Sequence, residues 1–186
     1  MTKIINFFGG PGIGKSGIAA GVYAEMKAAG LNVEMVTEVA KDYVWEERFN
    51  VLTSDQLIIY AKQHRRLDRL RGRVDYVITD CPLLMCIAYI PPNSYDLLEP
   101  LIVQSATTFD NFNVILRRAD GTHKDEGRYH NEQESKEKDK EIWRLLDKYD
   151  PDYIVMPVDQ NTVESTYNII RGLETLDDQP SPQDQE

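Results

Sequence analysis

Cysteine is scarce: Cys81 and Cys86 are the only two in 186 residues. Two thiols build no disulfide framework, which excludes a disulfide-scaffolded secreted domain and points to a reducing cytoplasm. Long apolar runs are missing as well, since none approaches the ~18 residues that a membrane span requires. The opening MTKIINFF carries one Lys before a strand-like run into glycines, a pattern unlike a secretory leader. Positive charge is in deficit, with 21 Lys and Arg against 31 Asp and Glu and a net charge of -10. That is the wrong balance for a protein that coats duplex nucleic acid by neutralising phosphates. Three histidines, His64, His123 and His130, show no metal-ligand spacing with the cysteines.

What remains is one ordinary domain with a full core. Short apolar strands alternate with helical stretches. Strands are expected at Lys3 to Phe8, Val33 to Thr37, Val74 to Thr79, Asn113 to Leu116 and Tyr153 to Pro157. Helices are expected at Lys15 to Ala29, Ser54 to Leu70, Leu83 to Tyr89, Leu97 to Gln104, Glu132 to Lys148 and Thr162 to Leu173. In the second of these, Leu57, Ile58, Ala61 and Leu67 would form the apolar face. This alternation predicts a three-layer α/β domain with a mainly parallel five-stranded sheet. Residues 1–173 would form the domain. The stretch from Glu174 to Glu186 holds five acids and no base. It would bury too little surface to offset its ordering entropy, so a disordered acidic tail is expected there.

Gly9-Gly10-Pro11-Gly12-Ile13-Gly14-Lys15-Ser16 satisfies G-x-x-x-x-G-K-[ST] with a strand before it and a helix after it. Glycines let main-chain N–H groups turn inward around phosphate oxygens at a helix N-terminus. Gly10, Gly12, Ile13, Gly14, Lys15, Ser16 and Gly17 are therefore expected to bind a nucleoside triphosphate. Lys15 would reach the β- and γ-phosphates and Ser16 would ligate Mg²⁺. The guanine-selecting N-K-x-D is absent, and the third strand ends Asp80-Cys81 where a ring ATPase normally carries Asp-Glu. Both absences favour a compact kinase, with the choice between ATP and GTP left open.

Five segments together resemble small P-loop kinases of the nucleoside and nucleotide type. They are GGPGIGKS, VTEVAKDY, AKQHRRLDRL, VITDCPLL and NVILRRADGTHKDEGRYHNE. The nearest branch includes nicotinamide riboside kinase-like proteins, polynucleotide kinases and proposed phage kinases of hydroxymethylated bases in DNA. The resemblance implies a P-loop NTPase fold with a helical lid at approximately residues 118–140. It implies γ-phosphate transfer from ATP to a hydroxyl of a nucleoside, a nucleotide or a hydroxymethylated pyrimidine in DNA. It also implies a cytoplasmic location, that of a bacterial host if the chain is phage-encoded.

Glu38 follows the second strand, where such kinases place an acid to take the acceptor's proton. Asp80 ends the third strand, where it would meet the metal and help orient the acceptor. Sequence leaves open which of the two is the base. Arg117, Arg118 and Arg128 would clamp the triphosphate from the lid, with Arg128 acting on the transferring group. Gly121 and Gly127 would flex the lid's ends. Gln63 and Arg66 would face the acceptor, and Arg69, Arg71 and Arg73 would touch a nucleic-acid backbone or simply be solvated. Trp45, Tyr43, Met85 and Tyr89 are candidates for a nucleobase pocket, with Met85 assigned to the core first. The reading from another class is an ATP-binding or ATP-hydrolysing regulatory module with no phosphoryl acceptor.

Overall fold

The computed structural model describes residues 1–118, 132–149 and 152–177, with the side chains of 132, 134 and 173–177 set aside. Five strands form one wholly parallel sheet: β1 (Lys3–Phe8), β2 (Val33–Val36), β3 (Tyr76–Thr79), β4 (Asp110–Arg117) and β5 (Tyr153–Pro157), in the order β2-β3-β1-β4-β5. Register runs Asn6 to Thr79 between β1 and β3 and Asn6 to Asn113 between β1 and β4. Both sheet faces are covered. Ile5, Phe7, Val114 and Leu116 pack on one side with residues of α1 (Lys15–Ala28) and α7 (Thr162–Asp177). Ile4, Phe8 and Ile115 pack on the other with the 3-10 segment Leu83–Tyr89 and with Ile142 and Leu146 of α6 (Glu132–Tyr149). Burial on both faces explains why the strands read as continuous apolar runs.

Strand order sets the site. From β1 the chain crosses past β3 to reach β2, while from β3 it crosses past β1 to reach β4. The carboxyl ends of β1 and β3 therefore border a switch point, the place where ligands settle in open α/β sheets.

Several elements differ from expectation. Two short helices, α2 (Ala40–Trp45) and α3 (Phe49–Ser54), fill a stretch to which the sequence assigned no element. Helix α4 (Gln56–Asp68) starts after Asp55, whose carboxylate accepts from Ile58 N at 3.2 Å, and not at the expected Ser54. Its buried face is Gln56, Ile59, Tyr60, Gln63 and Leu67. Leu57 and Ile58, expected inside, are 38% and 36% exposed. Two glutamines hold the inner register because each satisfies a main-chain group there. The last helix continues to Asp177, into the stretch assigned to the tail, and 178–186 lie outside the described residues.

Helices α1 and α7 approach closely at Gly21, where an added Cβ would stand 2.8 Å from Val163 Cγ2. Gly21→Val should therefore lower stability by about 1–3 kcal/mol through overpacking. Thermal denaturation checks this; an unchanged midpoint would show that the contact yields freely.

Candidate active site

The loop between β1 and α1 turns through left-handed conformations at Gly12 (φ 83°) and Gly14 (φ 101°). Only glycine adopts these without strain, which is why the sequence pattern demands it. Gly14 caps α1 without a side chain, and the first turn carries no acid. The helix therefore presents its unpaired N–H groups and the positive end of its dipole to the cleft. Lys15 Nζ donates to Gly9 O at 2.6 Å and to Gly10 O at 3.0 Å. Ser16 Oγ donates to Asp80 Oδ2 at 2.5 Å, so the ends of β1 and β3 meet there. Asp80 is 3% exposed, and its Oδ1 has no partner among the described residues.

An orphaned buried carboxylate oxygen beside a hydroxyl suits a small hard cation. Mg²⁺ takes one or two protein oxygens and completes its shell with phosphate and water. Among the described residues no group of three His, Cys, Asp or Glu could hold a metal alone, which fits that mode.

Glu38 sits on the turn after β2, and no described group hydrogen-bonds its carboxylate. Burial raises the Glu38 carboxyl above its usual value and nearby Asp80 adds to this, while Lys15 and Lys41 oppose it. Burial likewise lowers the Lys15 ammonium, against the pull of the Glu38, Asp80 and Asp139 carboxylates. Lys15, Ser16, Glu38 and Asp80 thus form one electrostatically coupled cluster.

A single cavity of about 870 Å³ runs from Gly12, Gly14, Lys15, Ser16 and Gly17 past Glu38 to Trp45, Phe49, Gln56, Met85 and Tyr89. Ligand pockets usually span roughly 300–1,000 Å³, so this one has room for a donor and an acceptor together. Trp45 is 75% exposed at its edge, whereas Tyr43 is buried in a small core with Val39, Val51 and Ile59. Trp45, not Tyr43, is therefore the aromatic available for stacking. Met85 serves both core and cavity. Cys81 and Cys86 line the cavity floor. A hydrogen bond to Cys86, then burial, holds the Cys81 thiol well above its usual value, so it is a protonated wall and not a nucleophile. Burial also pushes the Tyr89 phenol upward, keeping it a hydrogen-bond donor.

Gly10 and Ile13 do not line the cavity. The Gly10 amide donates to Asp139 Oδ1 on α6 at 2.6 Å, and the Ile13 side chain is buried beneath the loop. Arg118 donates from Nε to Asp139 Oδ2 at 2.9 Å and from Nη2 to Pro11 O at 2.8 Å. Its guanidinium braces the loop from outside instead of reaching into the nest. Arg117 ends β4 as an exposed residue away from the cavity. Arg128, Gly121, Gly127, His123 and His130 lie outside the described residues, as does most of the expected lid up to Glu132.

Sequence reasoning missed Asp139, hidden in a charged helix, and Gln56, whose Nε2 donates to Cys86 O at 3.0 Å from the cavity wall. Neither carries a local signal.

Lys62, Arg66 and Arg71, three of the six basic residues between Lys62 and Arg73, are committed internally. Lys62 donates to Tyr43 Oη at 2.6 Å, and Arg71 bonds Asp68 and Thr108 while stacking 3.8 Å over the Phe109 ring centroid. Thr2 Oγ1, just before β1, donates to Val74 O and accepts from Gly72 N. Residues 70–74 therefore sit at the amino edge of the sheet, opposite the phosphate loop. Arg71 and Arg73, expected to touch a polymer acceptor, are on the wrong side of the domain to do so.

A family model described as "AAA domain" matches residues 4–165. Three solved structures share the fold, each matched over 92% of this chain. A NadR protein in complex with NR aligns at TM-score 0.66 and 16% identity, covering 51% of that chain. A NadR protein in complex with NAD and AMP-PNP aligns at 0.61 and 17%, covering 49%. The chain thus spans about half the length of those two. Deoxyadenosine kinase from M. mycoides, with products bound, aligns at 0.57 and 17%, covering 98% of its length. No curated protein matches the sequence. No helix among the described residues is long and apolar enough to cross a membrane.

Proposed function

The chain belongs to the AAA domain family, and on that footing we propose that it is an ATP-dependent kinase acting on a free nucleoside or nucleotide hydroxyl. One observation carries this reading: the cavity does not stop at the phosphate loop but continues past half-buried Glu38 to an aromatic wall. A module that binds or hydrolyses ATP without an acceptor needs room there only for water. The strand-end Asp80-Cys81, lacking the second acid of a ring ATPase, agrees with transfer over mechanical work.

In this mechanism Lys15 and the amides of the first turn of α1 hold the β- and γ-phosphates. Ser16 and Asp80 would hold Mg²⁺, which would supply neutralisation of the developing phosphate charge. The acceptor oxygen attacks the γ-phosphorus, the bond to the bridging oxygen breaks, ADP departs, and the acceptor's proton passes to Glu38. Asp80 is already hydrogen-bonded to Ser16 while Glu38 is uncommitted, which supports Glu38 as the base. Gln56 offers an amide to the acceptor and Trp45 a stacking face. Arg128 is retained as the clamp on the transferring group. Arg118 acts on the loop instead. The reading places the protein in a reducing, ATP-containing cytoplasm.

The placement of Arg71 and Arg73 at the edge of the sheet opposite the phosphate loop and the net charge of -10 favour a free small molecule over a hydroxymethylated base in DNA. The test is ADP release with nucleosides, nucleotides and hydroxymethyl-pyrimidine DNA at rising salt. A free nucleoside acceptor should give a nearly flat response. Rates with DNA alone, falling steeply as salt rises, would overturn the small-molecule assignment.

A further inference from the structure

The turn that carries Glu38 is held from both sides by one helix. After β2 ends at Val36, the chain makes a short reversal before α2 begins at Ala40. Thr37, Glu38 and Val39 make up that reversal, and Val39 O already accepts from Asp42 N at 3.0 Å as the cap of α2. On one side of Glu38, Arg66 Nη1 donates to Thr37 O at 3.2 Å, and Arg66 Nη2 binds Asp42 in the first turn of α2. On the other side, Val39 N donates to Gln63 Oε1 at 3.0 Å. Gln63 is 0% exposed and three residues before Arg66, so both project from one face of α4. The Val39 side chain, 1% exposed, is packed with Tyr43, Val51 and Ile59.

Stability does not account for Gln63. Its Nε2 is buried with no partner among the described residues. Leaving a buried amide donor unpaired costs about as much as its single hydrogen bond returns. An apolar side chain of that length would avoid this penalty but leave the buried Val39 N–H unpaired instead, so stability gives glutamine no clear advantage. What only a side-chain acceptor supplies is a fixed position for the Val39 amide, and hence for the carboxylate one residue before it.

We propose that Gln63 is a positioning residue that sets where the Glu38 carboxylate stands relative to the γ-phosphate, with Arg66 bracing the opposite end of the turn. The inference rests on the reading of Glu38 as the base. Gln63 lies outside the cavity wall, so it acts on the reaction through Glu38 and touches neither substrate.

The test compares Gln63→Leu and Arg66→Met in the full chain, each alone and combined with Glu38→Gln. Turnover and triphosphate affinity are measured for each. Arg66 is partly exposed, so its variant should fold even if the buried substitution fails. The expected result is a fall in kcat of about 10- to 100-fold for Gln63→Leu, since a displacement on the order of 1 Å carries such losses. A smaller fall is expected for Arg66→Met. Triphosphate affinity should stay within about twofold, and neither change should lower the residual turnover of the Glu38→Gln chain further. The proposal is overturned if kcat is unchanged in both variants, if triphosphate affinity falls in parallel, or if the losses persist in the Glu38→Gln background. Should Glu38→Gln by itself leave turnover intact, the reading of Glu38 fails instead, a distinct outcome.

Discussion

Glu38→Gln is expected to lower turnover by about 10²–10⁴-fold, the usual contribution of a positioned general base. The amide is isosteric and uncharged, so the turn and the cavity should persist, and triphosphate binding should change little. A small gain in affinity is reasonable, because a carboxylate beside the γ-phosphate is repulsive. The split between kcat and binding is the diagnostic part. An equal loss in both would indicate a structural residue.

The same group fixes a pH dependence. Burial raises the Glu38 carboxyl above its usual value, Asp80 raises it further, and Lys15 and Lys41 hold it down. A base must be ionised to accept a proton, so activity should be present above that raised value and fall as pH drops through it. The acid limb of the kcat profile should lie above the ordinary carboxylate range and be absent from the residual activity of Glu38→Gln.

The second large effect is at Lys15. Its ammonium now rests on Gly9 O and Gly10 O, two carbonyls of the loop it would leave to meet phosphate. Charge-assisted hydrogen bonds contribute about 1.5–3 kcal/mol each, so losing two weakens triphosphate binding by roughly 10²-fold or more. Lys15→Met keeps the stem's volume and removes the charge. Its effect on folding should be small, because removing a buried ammonium relieves desolvation while orphaning the two carbonyls. Calorimetric titration of MgATP into Lys15→Met, alongside a melting curve, checks both parts. Wild-type affinity in a folded variant would mean that the amides alone hold the nucleotide.

The candidate site was legible where it is written locally. The glycine pattern, the strand before it and the helix after it placed Lys15 and Ser16. Strand ends followed by acids placed Glu38 and Asp80, and parallel topology then brought all four together. The supporting shell was not legible. Asp139 reaches Gly10 across 129 positions from a helix whose charges read as solvated. Gln63 occupies the inner face of α4, where apolar periodicity assigned Leu57 and Ile58 instead. A buried glutamine that satisfies a distant amide leaves no trace in hydrophobic pattern. The short helices α2 and α3, too brief to show a period, carry Trp45 and Phe49 on the cavity wall. Arg118 is the converse case: the residue was found, and what the sequence does not announce is that its Nε and Nη2 hold Asp139 and Pro11 O.

Following the label from γ-phosphate-labelled ATP tests the central claim most directly. With magnesium and a panel of free nucleosides and nucleotides, the account predicts label on an acceptor hydroxyl in step with ADP, and neither product in quantity without acceptor. Label released only as inorganic phosphate, at a rate indifferent to every acceptor offered, would contradict it.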